Sequence, residues 1–121
     1  GRKIKVYPDS SGKSEKSNSS VSDIELLKRA GFELVYDASN PRVRDRVATM
    51  NARFKNGKDE RRLFVNTRDC PNLTECLEQQ AYNSDGTPDK TSGFDHMVDA
   101  IGYFVWQKWR ITGKGGNIRA R

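Results

Sequence analysis

The sequence predicts an α/β fold, with about three strands in a mixed or parallel sheet flanked by helices. Three observations lead there. Two short apolar runs, Ile4 to Tyr7 and Phe32 to Tyr36, bracket a capped helical segment, which is the β-α-β pattern. A third short run, Arg62 to Asn66, follows a turn and completes the strand count. Between and after these runs, apolar residues recur at three- and four-residue spacing, the period of helices that cover a sheet.

Taken in order, the first strand spans Ile4 to Tyr7 and ends at Pro8, with Asp9 immediately after. Ser10 to Ser20 is a polar loop without an apolar anchor. Ser22 is an N-cap, and Glu25 three residues later completes a capping box. The helix runs through Ile24 and Leu27 and stops at Gly31, where a glycine can take the left-handed conformation that closes a helix. With Phe32 to Tyr36 as the next strand, the unit predicts two parallel strands joined by a right-handed crossover.

Asn40-Pro41 reads as a cap followed by proline at the first helical position, opening a helix to about Lys55. Val43, Val47, Met50 and Phe54 face its core, and Arg42, Arg44, Arg46 and Arg53 are expected on its surface. Asn56-Gly57 is a turn. A helix follows over Pro71 to Tyr82, with Leu73, Leu77 and Ala81 on one face, then a loop over Asn83 to Gly93. Phe94 to Trp109 is the last helix and the most apolar. Residues 1–112 form one domain on this reading, and 113–121 are a flexible basic tail.

The chain has 121 residues, 31% charged and 34% hydrophobic, so it can bury a modest core. Its net charge of +6 favours a polyanionic partner, nucleic acid or an anionic surface, over a merely basic solvated face by no more than an even margin. Cys70 and Cys76 lack the spacing of a zinc site and are read as reduced thiols. No signal peptide and no apolar run of bilayer length are present, so a cytosolic compartment and no membrane partner are expected.

The chemistry concentrates on the last helix. Asp95 and Asp99 are four residues apart and share a face, with His96 three residues before Asp99. Their neighbours Phe94, Met97, Val98 and Ile101 are apolar. Charge in such a helix is costly unless it is paired, and a bound cation removes the cost. Asp9, at the carboxyl end of the strand that opens the β-α-β unit, is the second component, because ligands in open α/β sheets bind outside strand carboxyl ends. An oxygen-rich set of this kind suits Mg2+ or Mn2+. Plainer roles are available: Asp95 and Asp99 favouring the helix dipole, His96 as a surface histidine, Asp9 as a turn residue after Pro8. Gly12-Lys13-Ser14 mimics the end of a phosphate-binding loop, but Tyr7 stands where that motif needs glycine, which argues against an ATP site there.

Three segments together resemble the C-terminal nuclease domain of phage and prophage terminase large subunits. They are Val6-Tyr7-Pro8-Asp9-Ser10-Ser11-Gly12; Asn40-Pro41-Arg42-Val43-Arg44-Asp45-Arg46-Val47 leading into Met50-Asn51; and Gly93-Phe94-Asp95-His96-Met97-Val98-Asp99-Ala100-Ile101-Gly102-Tyr103. They stand in the family's order and cover about Lys3 to Trp109. The resemblance implies a ribonuclease H-like fold with carboxylate-held divalent metals, Mg2+ or Mn2+ in a two-ion site. It implies an endonuclease that cuts concatemeric double-stranded DNA during capsid filling in a bacterial host's cytoplasm. By position, Asp9 becomes a metal carboxylate, and Asp99 another together with Asp95 or His96. Lys13, Lys16, Arg42, Arg44 and Arg46 become contacts to DNA phosphates. The family's first metal carboxylate lies on an earlier strand, so the chain is expected to be a fragment of that domain, with a sheet edge open to self-association. In the full-length setting the portal and the small terminase subunit are the implied partners. The competing reading is a non-catalytic nucleic-acid-binding module or a packaging-complex docking module, which accounts for the charge and the tail but leaves the three aspartates without a role.

Overall fold

The computed structural model describes residues 3–13 and 22–110, the side chains of Gly12 and Lys13 apart. Residues 1–2, 14–21 and 111–121 lie outside that description, and with them Lys16, most of the polar loop and the basic tail. The chain divides into two units, Gly1–Pro41 and Arg42–Arg121, each described by itself.

In the first unit β1 (Lys5–Val6) and β2 (Glu33–Leu34) pair in parallel, with Lys5 opposite Glu33 and Val6 opposite Leu34. The ladder closes through Glu33 N–H to the Ile4 carbonyl at 3.0 Å and Val35 N–H to the Val6 carbonyl at 2.9 Å. Between them runs α1 (Asp23–Arg29). Ser22 caps it as the sequence predicts, its hydroxyl accepting from Glu25 N–H at 3.2 Å. Gly31, at φ +93°, ends it in the left-handed conformation. The start of the polar loop, Ser10–Lys13, is a single 3-10 turn.

The second unit is helical: α2 (Val43–Phe54), α3 (Pro71–Gln79) and α4 (Asp95–Trp109), with α2 and α3 both packed on α4. Met50, Val98 and Val105 are its fully buried centre, ringed by Phe54, Leu63, Cys76, Leu77, Ile101, Phe104 and Trp109. Pro71 opens α3 at a position where its missing N–H costs nothing. Cys70 and Cys76 are free thiols. Among the described residues no helix is long and apolar enough to cross a membrane.

Three expectations need correction. Arg62 to Asn66 is not a strand, so the described sheet has two strands rather than about three. Arg62 N–H and Leu63 N–H both donate to the Arg53 carbonyl at 2.9 Å, so the segment is tied to the end of α2 instead of to a neighbouring strand. The second helix begins at Val43 with Arg42 as its cap residue, because the Asn40 side chain is engaged with Asp9 and Ser10 and does not cap it. The third helix ends at Gln79, and Tyr82 instead forms an antiparallel bridge with Pro88.

The core makes a direct demand. Met50→Ala, at a residue only 1% exposed, should lower the unfolding free energy by about 2–5 kcal/mol in urea titrations. Phe64→Ala, at a residue 75% exposed, should change it by less than about 0.5 kcal/mol.

Candidate metal centre

Two acidic clusters carry the residues singled out in the sequence, one in each unit. In the first, Asp9 follows β1 and is exposed. Its Oδ1 accepts from Ser11 N–H at 2.8 Å, an Asx turn that launches the 3-10 segment, and from the Asn40 amide. Ser10 beside it is 5% exposed. Its hydroxyl donates to the Asp37 carbonyl at 2.9 Å, and its N–H to Asn40 Oδ1 at 2.8 Å. The segment after β2 is thereby laced to the carboxyl end of β1. This geometry fixes Asp9 at the strand end that the β-α-β topology marks for ligands, while giving it a turn role as well.

The second cluster is built on α4. Asp95 and Asp99 stand one helical turn apart, and Lys90 Nζ donates to Oδ2 of both at 3.4 Å. Asp99 Oδ1 accepts from Arg46 Nη1 at 2.9 Å. The Arg46 side chain is 3% exposed and that of Asp99 17%, so this is a buried ion pair. The Asp95 side chain is 4% exposed. Its Oδ1 is buried with no hydrogen-bond donor. The nearby Asp99 carboxylate holds the Lys90 ammonium above the ordinary lysine range, against burial, which lowers it, and with the lesser help of Asp95. The stabilisation from that ammonium is therefore fully present below the ordinary lysine pKa and is lost only as pH rises through the raised one. Burial pushes the Tyr82 hydroxyl up; Arg46 acts against this and Asp99 with it, which puts Tyr82 within the field of the same pair.

Arg46 is the main departure from the sequence reading. It was expected on the surface of its helix and is among its most buried residues. It lies across Gly102 of α4, where an added Cβ would meet Arg46 Nη1 at 2.9 Å, and its guanidinium sits 4.8 Å from the Tyr103 ring centroid. Two turns on, the Arg53 guanidinium sits 4.4 Å from the Trp109 ring centroid. The missed signals are legible in retrospect. Arg46 is three residues after Val43 and four before Met50, so it belongs to the apolar stripe. A glycine within the most apolar helix marks a close approach. Lys90, in a loop before α4, carries no spacing signal at all.

The other expected residues fall outside these clusters. His96 is exposed on α4. Arg42 and Arg44 are exposed and, with Asn51, line an open surface cavity of about 460 Å³ that also holds Asp45 and Asp85. The Lys13 side chain and Lys16 are outside the described residues.

Two carboxylate oxygens that converge on one cation, beside a buried oxygen lacking any donor, fit a divalent ion in the chemistry of their donors. Among the described residues no group of three or more His, Cys, Asp or Glu side chains is placed to hold one. The fold and the cluster thus define an α/β protein whose last helix carries a largely buried acidic pair met by Lys90 and Arg46. Over residues 1–108 the chain matches the family model of the terminase RNaseH-like domain, and it belongs to that family. Comparison with curated proteins gives no match, and comparison with solved structures gives none either.

The ion pair can be tested by a thermodynamic cycle. Asp99→Ala leaves Arg46 buried and unpaired and should cost about 3–5 kcal/mol in urea unfolding, whereas Arg46→Met combined with Asp99→Leu should recover most of that loss.

Proposed function

We propose that this chain is the nuclease part of a viral DNA-packaging terminase large subunit, cutting concatemeric double-stranded DNA with Mg2+ or Mn2+ as capsids fill. The family supports the nuclease class. The observation that carries the metal reading is the convergence of Asp95 and Asp99 on one cation beside the unmet Asp95 Oδ1.

On this reading Asp95 and Asp99 would hold a divalent ion, and Asp9, exposed after β1 in the first unit, is a candidate metal carboxylate in its own right. When bound, such ions would lower the pKa of water and stabilise the leaving oxygen of a phosphodiester. The chain's own residues do the rest. Arg46 fixes the Asp99 carboxylate through Oδ1 and leaves Oδ2 directed to the ligand side. Arg42 and Arg44, with Lys13 and Lys16, would hold duplex phosphates without reading sequence. Arg46, being buried, is left out of that set. His96, exposed on α4 one residue after Asp95, would contact a phosphate or shuttle a proton. In the full-length setting, the portal and the small terminase subunit are partners under the same proposal.

One observation favours the second reading, a DNA-binding or docking module without catalysis: both oxygens of Asp99 are already met by cationic side chains. A plasmid-nicking assay with Mn2+ separates the two. Asp95→Asn is the better variant, since it leaves the Arg46–Asp99 pair intact, and it should change stability by no more than about 1 kcal/mol. Metal-dependent nicking that falls at least about a hundredfold in this variant supports the nuclease. Undiminished nicking overturns the assignment of Asp95. DNA binding that is indifferent to divalent ions, with no nicking by the unaltered chain, selects the second reading.

A further inference from the structure

The cation between Asp95 and Asp99 is part of the protein. Lys90 reaches Oδ2 of each carboxylate at the same 3.4 Å, long for a charge-assisted hydrogen bond and characteristic of an ammonium shared between two anions. Its side chain is 64% exposed, while those of Asp95 and Asp99 are 4% and 17% exposed. The carboxylates are therefore buried in the structure, and the lysine that meets them is open to solvent. Lys90 sits on the connection before α4, which turns at Gly93 with φ +81°, and its flexible stem can carry the charge into solvent without moving a helix. Arg46, by contrast, is locked against Gly102 and Tyr103 and keeps Asp99 Oδ1 whatever happens at Oδ2. Asp95 Oδ1 has no donor even with Lys90 in place, so the ammonium satisfies the pair only in part.

We propose that Lys90 is a resident counter-cation: it holds the Asp95–Asp99 pair together in the metal-free protein and is displaced when a divalent ion binds, so that ammonium and metal compete for the same oxygens. The inference rests on the metal reading above and adds a regulating residue to it. Lys90 sets how much divalent ion the site needs. It prevents two nearby carboxylates from repelling each other when metal is scarce, at the cost of weaker metal binding. Because the competition is one of charge, removing the ammonium while keeping its stem tightens metal binding.

The test is calorimetric titration of Mn2+ into the whole chain, the Lys90→Met variant and the Asp95→Asn variant. Lys90→Met should bind Mn2+ about two- to fivefold more tightly, the size of one largely exposed ion pair. Asp95→Asn should lose the binding. In the unaltered chain, Mg2+ should also raise the reactivity of Lys90 toward an amine-acylating reagent, read by mass spectrometry, as the ammonium leaves the carboxylates. Equal affinity in the chain and in Lys90→Met, with binding lost in Asp95→Asn, keeps the metal site and overturns the role of Lys90. Weaker binding in Lys90→Met also overturns it, by making the lysine a helper rather than a competitor. No binding by either protein removes the metal reading and this inference with it.

Discussion

The rest of the second unit depends on one buried ion pair, Arg46 with Asp99. Taking both charges out of water is expensive, and the attraction between them offsets that cost only with close geometry and further contacts. Gly102 supplies the geometry: without a side chain there, the guanidinium can lie against α4 and reach an aspartate one turn away. Tyr103 supplies the further contact from its ring face. An ion pair so placed adds little net stability over a well-packed apolar pair. It does fix how α2 lies along α4, because sliding either helix would strand a charge.

The same pair sets the character of the acidic cluster. Asp99 is held firmly through one oxygen and presents the other. Asp95, in the first turn of α4, gains from the helix dipole but keeps one buried oxygen without a donor. An unmet buried carboxylate oxygen costs stability, of order 1–3 kcal/mol. That cost stands beside a second carboxylate and an exposed ammonium, the local inconsistency on which the proposed binding role rests. Asp9 is different in kind: exposed, and satisfied at Oδ1 by a turn and by Asn40, it is presented rather than stressed.

What the sequence made legible was local. The Ser22 cap, the Gly31 stop, the parallel pairing around α1, Pro71 at the head of α3 and the extent of α4 each follow from one or two residues whose backbone preferences leave little choice. What escaped depended on partners distant in the chain. Arg62 to Asn66 has the composition of a strand but no neighbour to pair with, since its first N–H groups are taken by the end of α2. Asn40 has the composition of a cap but spends its side chain on Asp9 and Ser10, thirty residues away. Arg46 follows the apolar spacing and was set aside because it is charged; only the glycine opposite explains why it can be buried. The acidic pair itself was visible as spacing, but Lys90, which answers its charge, was not.

The proposed nuclease role requires the Asp95–Asp99 pair to be where this domain would take its divalent ion. The most direct measurement is paramagnetic broadening: 15N-labelled chain titrated with substoichiometric Mn2+ and followed amide by amide. The account predicts that the signals of Lys90 and of Asp95 to Asp99 broaden first, and that an excess of Mg2+ restores them. Broadening that is uniform, or that begins elsewhere in the chain and spares the start of α4, would contradict it.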